Sequence, residues 1–266
     1  MLAVLPLWLL HGAGGVLGWL ILLASPTWRR RFVDNARQAG YSFAQVRAAV
    51  GASGRLIAEL PRLWFGAPVR IEWIGGELVD AARATGRGIV FLTPHLGCFE
   101  VTAQGYAQRY GPVTVLYRPA RKAWFRELVD TARARPNLAT APTTLAGVKQ
   151  LIKALRAGEA VGLLPDQVPP QGQGVWAPFF GRDAYTMTLS MRLAQQGGAV
   201  VLVLWGERLS WGRGYRVHVR PWTGPVAADP QQSALQVNAA MEQLVRECPQ
   251  QYLWGYARYK APREDR

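Results

Sequence analysis

Three histidines are available to this 266-residue chain as bases near neutral pH. His11 lies in an apolar N-terminal segment, and His218 alternates with Val217 and Val219 in a predicted strand, where packing is the default reading. His95 differs from both: it directly follows the apolar run Ile89 to Leu92, within Thr93-Pro94-His95-Leu96-Gly97-Cys98-Phe99-Glu100. In open α/β sheets, ligands bind beyond the carboxyl ends of the strands, and that is where this histidine falls. Glu100 comes five positions later, a spacing that one regular helix would point apart. With His95 in the strand-to-helix turn and Gly97 relaxing the first turn, the carboxylate reaches back to an imidazole nitrogen. It would then fix the tautomer and stabilise the imidazolium formed when the other nitrogen removes a proton. The competing reading is a structural histidine satisfied by its neighbours. Cys98 adds a third ligating type, but one short cluster with no second histidine nearby is poor zinc spacing, and no metal is expected.

No Gly-x-Ser-x-Gly elbow and no phosphate loop of the Gly-x-x-x-x-Gly-Lys-Ser/Thr type occurs; Ser53 stands in Gly51-Ala52-Ser53-Gly54, within a basic helical region. A His-Glu pair without a protein nucleophile points to deprotonation of a substrate hydroxyl that attacks an activated carbonyl directly.

The elements that must hold this pair follow from the apolar pattern. Ile89 to Leu92, Val113 to Tyr117, Ala160 to Leu164 and Val200 to Trp205 read as strands, with helical stretches near 97–109, 122–134, 144–157 and 185–196 between them. Such alternation predicts an α/β fold with a mainly parallel central sheet flanked by helices. Gly212-Arg213-Gly214 predicts a hairpin at the sheet edge within Arg208 to Arg220, and Asp229-Pro230 starts a last helix over 230–248. No internal repeat is evident.

Residues 1–28 carry no Asp, Glu, Lys or Arg, and then come Arg29, Arg30 and Arg31. Leu2 to Ala24 has the length a bilayer core needs, despite Pro6, His11 and four glycines. Charge that follows the apolar stretch argues against a cleaved signal peptide. It favours an N-terminal apolar membrane-anchor helix, spanning or embedded, over a core helix, with the rest of the chain on the cytoplasmic side. The expected organisation is therefore 1–28 anchor, 29–68 basic amphipathic interfacial helices, and 69–266 α/β domain. A net charge of +14 suits an anionic partner: lipid, acidic protein or nucleic acid. Scattered basic residues without a recognised binding motif argue against nucleic acid. Two cysteines, Cys98 and Cys248, make no disulfide framework.

His95 with Glu100 resembles the His-four-residues-acid motif of the lysophospholipid acyltransferase superfamily. More narrowly, the chain looks like the lipid A late acyltransferases (lauroyl/myristoyl type) of Gram-negative bacteria. Four further blocks carry the resemblance: Val115-Leu116-Tyr117-Arg118-Pro119, Gly162-Leu163-Leu164-Pro165-Asp166-Gln167, Ala177-Pro178-Phe179-Phe180-Gly181-Arg182, and Pro249-Gln250-Gln251-Tyr252-Leu253-Trp254 with Tyr259-Lys260. Each block is weak alone, but the ordered set spans nearly the whole chain. The resemblance implies transfer of a fatty acyl chain from a thioester on acyl carrier protein to a hydroxyl of an anionic glycolipid, a lipid A precursor, at the inner membrane with the site facing the cytoplasm. It implies no cofactor. It makes His95 the general base and Glu100 its orienting partner. Arg118 would bind lipid phosphate or developing negative charge, Asp166 would position substrate or order a loop, and Phe179, Phe180 and Gly181 would shape the acyl pocket or pack in the core. The chain departs from the family pattern at Cys98 and Phe99, at Arg133, Arg135, Pro136 and Asn137, and at Gly255-Tyr256-Ala257, differences that bear on the acceptor. A glycerophospholipid, another glycolipid or an aminolipid is the alternative acceptor. A basic membrane-tethered protein that binds anionic lipid or nucleic acid is the non-enzymatic alternative.

Overall fold

The structure is a computed structural model that describes residues 2–119, 122, 131 and 135–263. Its centre is a seven-stranded sheet of order β1-β9-β8-β2-β5-β3-β4. In chain order the strands are β1 (Ile71–Ile74), β2 (Ile89–Leu92), β3 (Val113–Tyr117), β4 (Leu138–Pro142), β5 (Ala160–Leu163), the hairpin pair β6 (Gly174–Phe179) and β7 (Arg182–Met187), β8 (Val200–Arg208) and β9 (Tyr215–Pro221). Every pairing in the large sheet is parallel except β8 with β9. β6 and β7 form a separate antiparallel ribbon.

Strand alternation divides the core into two halves. Val90, Leu92, Val161, Leu163, Val201 and Val203 join the helices α8 (Leu145–Arg156), α9 (Leu189–Gly197) and α10 (Pro230–Glu247) in one cluster. Ile89, Phe91, Ala160, Leu202 and Leu204 pack in the other with α6 (Gly76–Ala84) and α7 (Glu100–Arg109). Continuous apolar strands covered on both faces are what a parallel sheet requires. Caps fix the helix starts: Asp229 accepts from the Gln232 N–H at 2.8 Å with Pro230 at the first turn, and Thr144 accepts from the Gly147 N–H at 3.3 Å.

The mainly parallel sheet with flanking helices agrees with the sequence reading, and the four expected strands are present. β1, β4 and the β6–β7 ribbon are additional; short strands with mixed burial carry weak alternation. Residues 185–187 belong to β7, so the helix expected from 185 begins at Leu189. The β8–β9 hairpin forms, but one strand inside the edge, because β1 pairs with β9. The helix expected near 122–134 lies almost wholly outside the described residues.

Five helices precede the sheet: α1 (Leu7–Ala24), α2 (Pro26–Gln38), α3 (Phe43–Val46), α4 (Ala48–Ala58) and α5 (Leu60–Phe65). α1 is apolar and long enough, by length and composition, to cross a bilayer. It packs antiparallel along α4, with His11 beside Glu59, Gly14 beside Arg55 and Gly18 beside Val50.

Candidate functional site

Parallel pairing of β2 with β5 brings their carboxyl ends side by side, and the Thr93 N–H bonds the Leu163 carbonyl at 3.1 Å as the strands run out. The next residues of each strand meet across this gap. The His95 backbone N–H donates to Asp166 Oδ2 at 2.8 Å, and His95 Nδ1 lies 2.7 Å from Asp166 Oδ1. Gln167 Nε2 lies 3.0 Å from His95 Nε2. Asp166 is 2% exposed. Burial alone would push its carboxyl up, but the attraction of His95 and its two hydrogen bonds outweigh that and hold it below the usual carboxylate range. An ionised acceptor on Nδ1 places the ring proton there, which leaves Nε2 as the basic nitrogen. Phe99 packs edge-on against the ring at 4.9 Å between centroids.

The turn from His95 to Cys98 is held from behind. Leu96 bridges Tyr252, Gly97 bridges Gly206, and the Gly97 N–H donates to the Gln251 carbonyl at 3.0 Å. Gly97 has φ of +62°, and a Cβ there would run into the Gly206 carbonyl, so the turn needs glycine. α7 therefore starts at Glu100, after an irregular turn rather than a relaxed helical one.

This geometry separates the two residues expected to pair. The carboxylate on His95 Nδ1 belongs to Asp166, whereas Glu100 accepts from the Trp64 indole N–H at 3.3 Å and borders a different recess. The Asp-Gln block at the end of β5 was the available signal. A carboxylate at the end of the strand neighbouring β2 reaches the histidine, which spacing along one strand cannot reveal.

His95 opens into a cavity of about 820 Å³. Leu145, Val148, Ile152, Leu189 and Leu193 give it an apolar wall; Arg118, Arg192 and Lys260 give it cations; Gln167, at the imidazole, and Tyr256 also border it. The Tyr256 hydroxyl accepts from the Val168 N–H at 3.0 Å, which fixes the loop after Asp166. A narrow apolar slot of about 70 Å³ lies on the other side of Phe99, Leu116 and Leu164, which line both spaces; Phe91, Tyr106, Val115, Gly162 and Glu100 border it. Arg118 thus sits in the same cavity as His95. Phe179, Phe180 and Gly181 do not: they make the β6–β7 turn, where the Phe180 N–H donates to Glu242 at 2.6 Å and the two rings pack in the core beside Trp254 and Arg258.

A second polar cluster, absent from the sequence reading, lies behind the turn. Glu59 is fully buried and accepts from Arg208 Nε at 2.7 Å, from the Tyr215 hydroxyl at 2.9 Å, and stands 3.0 Å from His11 Nε2. Burial would raise the Glu59 carboxyl, but the Arg208 charge and the hydrogen bonds of Arg208 and His11 bring it down to about 2. Arg208 also donates to the Gly97 carbonyl at 3.2 Å. Cys98 is buried beside this pair, and burial followed by the Glu59 charge pushes its thiol well up, so it has no thiolate character. Among the described residues no group of three ligating side chains is placed to hold a metal ion. Arg258, 2% exposed, is another residue missed; it donates to the Tyr185 carbonyl at 2.6 Å and Thr186 Oγ1 at 2.7 Å, tying the ribbon to the domain.

Chemically, the arrangement provides an imidazole oriented by Asp166 with its second nitrogen on the Gln167 amide at the cavity, an apolar wall that fits a chain, and cations at its border. Residues 44–261 match the family model of the bacterial lipid A biosynthesis acyltransferases. The chain is 29% identical over 213 residues to a lipid A biosynthesis lauroyltransferase of Escherichia coli, covering 78% of this chain and 69% of that protein. It is 27% identical over 214 residues to the palmitoleoyltransferase of the same organism, covering 78% and 68%. A lipid A biosynthesis acyltransferase of Haemophilus influenzae is 28% identical over 185 residues, 70% of this chain and 58% of the relative's length.

Proposed function

The chain belongs to the bacterial lipid A biosynthesis acyltransferase family, and from that premise we propose that it is a membrane-bound O-acyltransferase using His95 as general base. The donor is an acyl thioester on acyl carrier protein, and the acceptor is a hydroxyl of a lipid A precursor at the cytoplasmic face of the inner membrane. The observation that carries this reading is the buried Asp166 on a His95 that lines a largely apolar cavity with cations at its border.

Asp166 orients the imidazole and stabilises the imidazolium. The acceptor hydroxyl displaces the Gln167 amide from Nε2 and gives up its proton there as its oxygen attacks the thioester carbonyl. The tetrahedral oxyanion collapses, the carbon–sulfur bond breaks, and the departing thiolate takes the proton back from Nε2. No acyl-enzyme forms in this scheme, which agrees with a buried Cys98 whose thiol is pushed up. The donor chain lies in the apolar spaces on either side of Phe99, and Arg118 and Lys260 meet the phosphate of the acceptor. Glu100, bonded to Trp64, shapes the wall of the narrow slot.

The test is acyl transfer by the purified chain in lipid vesicles, from acyl carrier protein thioester to a lipid A precursor, followed by mass spectrometry of the products. One added acyl group with wild type, and a loss of at least about 10³-fold with His95→Ala, is the expected result. Transfer to a glycerophospholipid or aminolipid in the same vesicles would replace the acceptor. Unchanged turnover by His95→Ala would remove the base.

A further inference from the structure

We infer that α1 does not cross the bilayer but lies along its cytoplasmic leaflet as half of a membrane-docking face, its other half buried against α4. The in-plane placement rests on the packing of α1 alone, whereas the cytoplasmic side and the entry of a lipid substrate rest on the acyl-transfer reading.

The inward stripe of α1 is made of Leu10, His11, Gly14, Gly15, Gly18 and Leu22, all buried. The glycines allow backbone contact with α4: a Cβ on Gly18 would strike the Val50 carbonyl, one on Gly14 would lie 2.6 Å from the Arg55 Cα, and one on Gly54 would strike the Gly14 carbonyl. His11 reaches into the buried Glu59–Arg208–Tyr215 cluster. Farther along, Trp19 packs edge-on to Phe43, and the loop at Gly212 abuts the Trp8 backbone. α1 is thus seated on the domain from end to end. An upright helix would either leave this seat, exposing the Glu59–Arg208 pair, or carry a buried ion pair and α4 to hydrocarbon depth.

The outward stripe is apolar and open: Trp8, Leu9, Val16, Trp19, Leu20 and Leu23 are between 41% and 67% exposed. Ile57, Phe65 and Trp211, the last 87% exposed, extend the patch on neighbouring elements. Large exposed apolar patches of this kind mark contact with a membrane or a protein. Charge selects the membrane: exposed Arg29, Arg30 and Arg31 follow directly at the end of α1, where guanidinium groups meet anionic headgroups. The helix that carries these arginines also reaches the cavity: Asn35 of α2 donates to the backbone carbonyl of Tyr256, a residue of the cavity lining, at 2.7 Å. An in-plane α1 therefore brings the mouth of the His95 cavity to the headgroup layer, where a lipid substrate enters without leaving the leaflet.

The experiment uses the full-length chain carrying Cys248→Ala, with single cysteines at exposed Leu9, Val16 or Leu23 bearing a nitroxide; Cys98 is fully buried and stays unlabelled. In vesicles of phosphatidylethanolamine and phosphatidylglycerol, label depth is read from relaxation by oxygen and by a water-soluble nickel chelate. Equal depths within about 3 Å, below the headgroups, are expected. A gradient of about 10 Å per seven residues, with Val16 deepest, would mean a spanning helix and overturn the inference. Labels in water, or labels close to those of a second copy and shielded from lipid, would overturn it as well. In parallel, the triple change Arg29→Gln, Arg30→Gln, Arg31→Gln lowers affinity for the anionic vesicles by about 100-fold at low salt and leaves binding to neutral phosphatidylcholine unchanged. An unchanged preference for anionic vesicles would remove charge as the selecting force.

Discussion

Replacing Asp166 with Asn separates the two carboxylates that compete for the role of orienting His95. The imidazolium formed on proton removal gains its stabilisation from a full negative charge on Asp166, whose oxygen lies 2.7 Å from Nδ1. With the charge centres about 4 Å apart and an effective dielectric of about 20, that attraction amounts to about 4 kcal/mol. An amide keeps the size of the carboxylate but forfeits this attraction, and with its one oxygen on the His95 backbone N–H its NH2 faces Nδ1 and drives the ring proton to Nε2, so the turnover number should fall by at least about 10³-fold. The Asn oxygen can still accept from the His95 backbone N–H, so the turn persists and substrate affinity changes little. Glu100→Gln, by contrast, perturbs a contact with Trp64 and the slot wall and should cost less than about tenfold. Both variants are assayed at saturating donor by release of free carrier thiol, beside His95→Ala as the floor. A nearly normal Asp166→Asn together with a 10³-fold loss in Glu100→Gln would refute the reasoning and return the orienting role to Glu100.

Three further outcomes follow from the packing. Glu59 titrates at about 2 in the fold against an ordinary value of 4.5, so unfolding raises its pKa and takes up a proton. Its contribution of roughly 3 kcal/mol is fully present above about pH 4.5 and fades as pH falls toward 2; denaturant melts across that window should show a steeper loss in wild type than in Glu59→Gln, which keeps the acid loss due to Asp166 and starts from lower stability because Arg208 is left unpaired. Gly162→Ala puts a methyl 3.2 Å from Val115 Cγ1 at the narrow slot, and donor competition should shift toward shorter chains by about fourfold for each methylene displaced, whereas an unchanged profile would place the acyl chain elsewhere. Gly18→Val collides with the Val50 carbonyl and should destabilise the protein by about 2 kcal/mol or more, while Gly12→Val, with open space around its Cβ, should leave the melting midpoint unchanged.

The parts of this molecule that were legible in the sequence are those governed by local pattern. β2, β3, β5 and β8 are dense apolar runs between helical stretches, and a parallel sheet follows from their alternation. His95 was identifiable because a polar residue at a strand end has few structural reasons to be there. Its partner was harder to identify, because Glu100 is near in sequence while Asp166 is near in space, and only the β2–β5 pairing makes it so. The turn at Gly97 decides between them: with φ at +62° the chain turns before α7 begins, and the first carboxylate of that helix comes down beside Trp64. The same limit applies to α1. Its composition marks a helix that avoids water but does not say which apolar phase surrounds it, since a glycine stripe fits a neighbouring helix as well as it fits lipid. His11 was the residue able to distinguish the two. An imidazole within an uncharged segment calls for a polar partner, and a fully buried Glu59 in reach of it ties the helix to the protein on one side. α1 and the turn that carries His95 therefore share one buried ion pair, because His11 meets Glu59 and Arg208 binds both Glu59 and the Gly97 carbonyl.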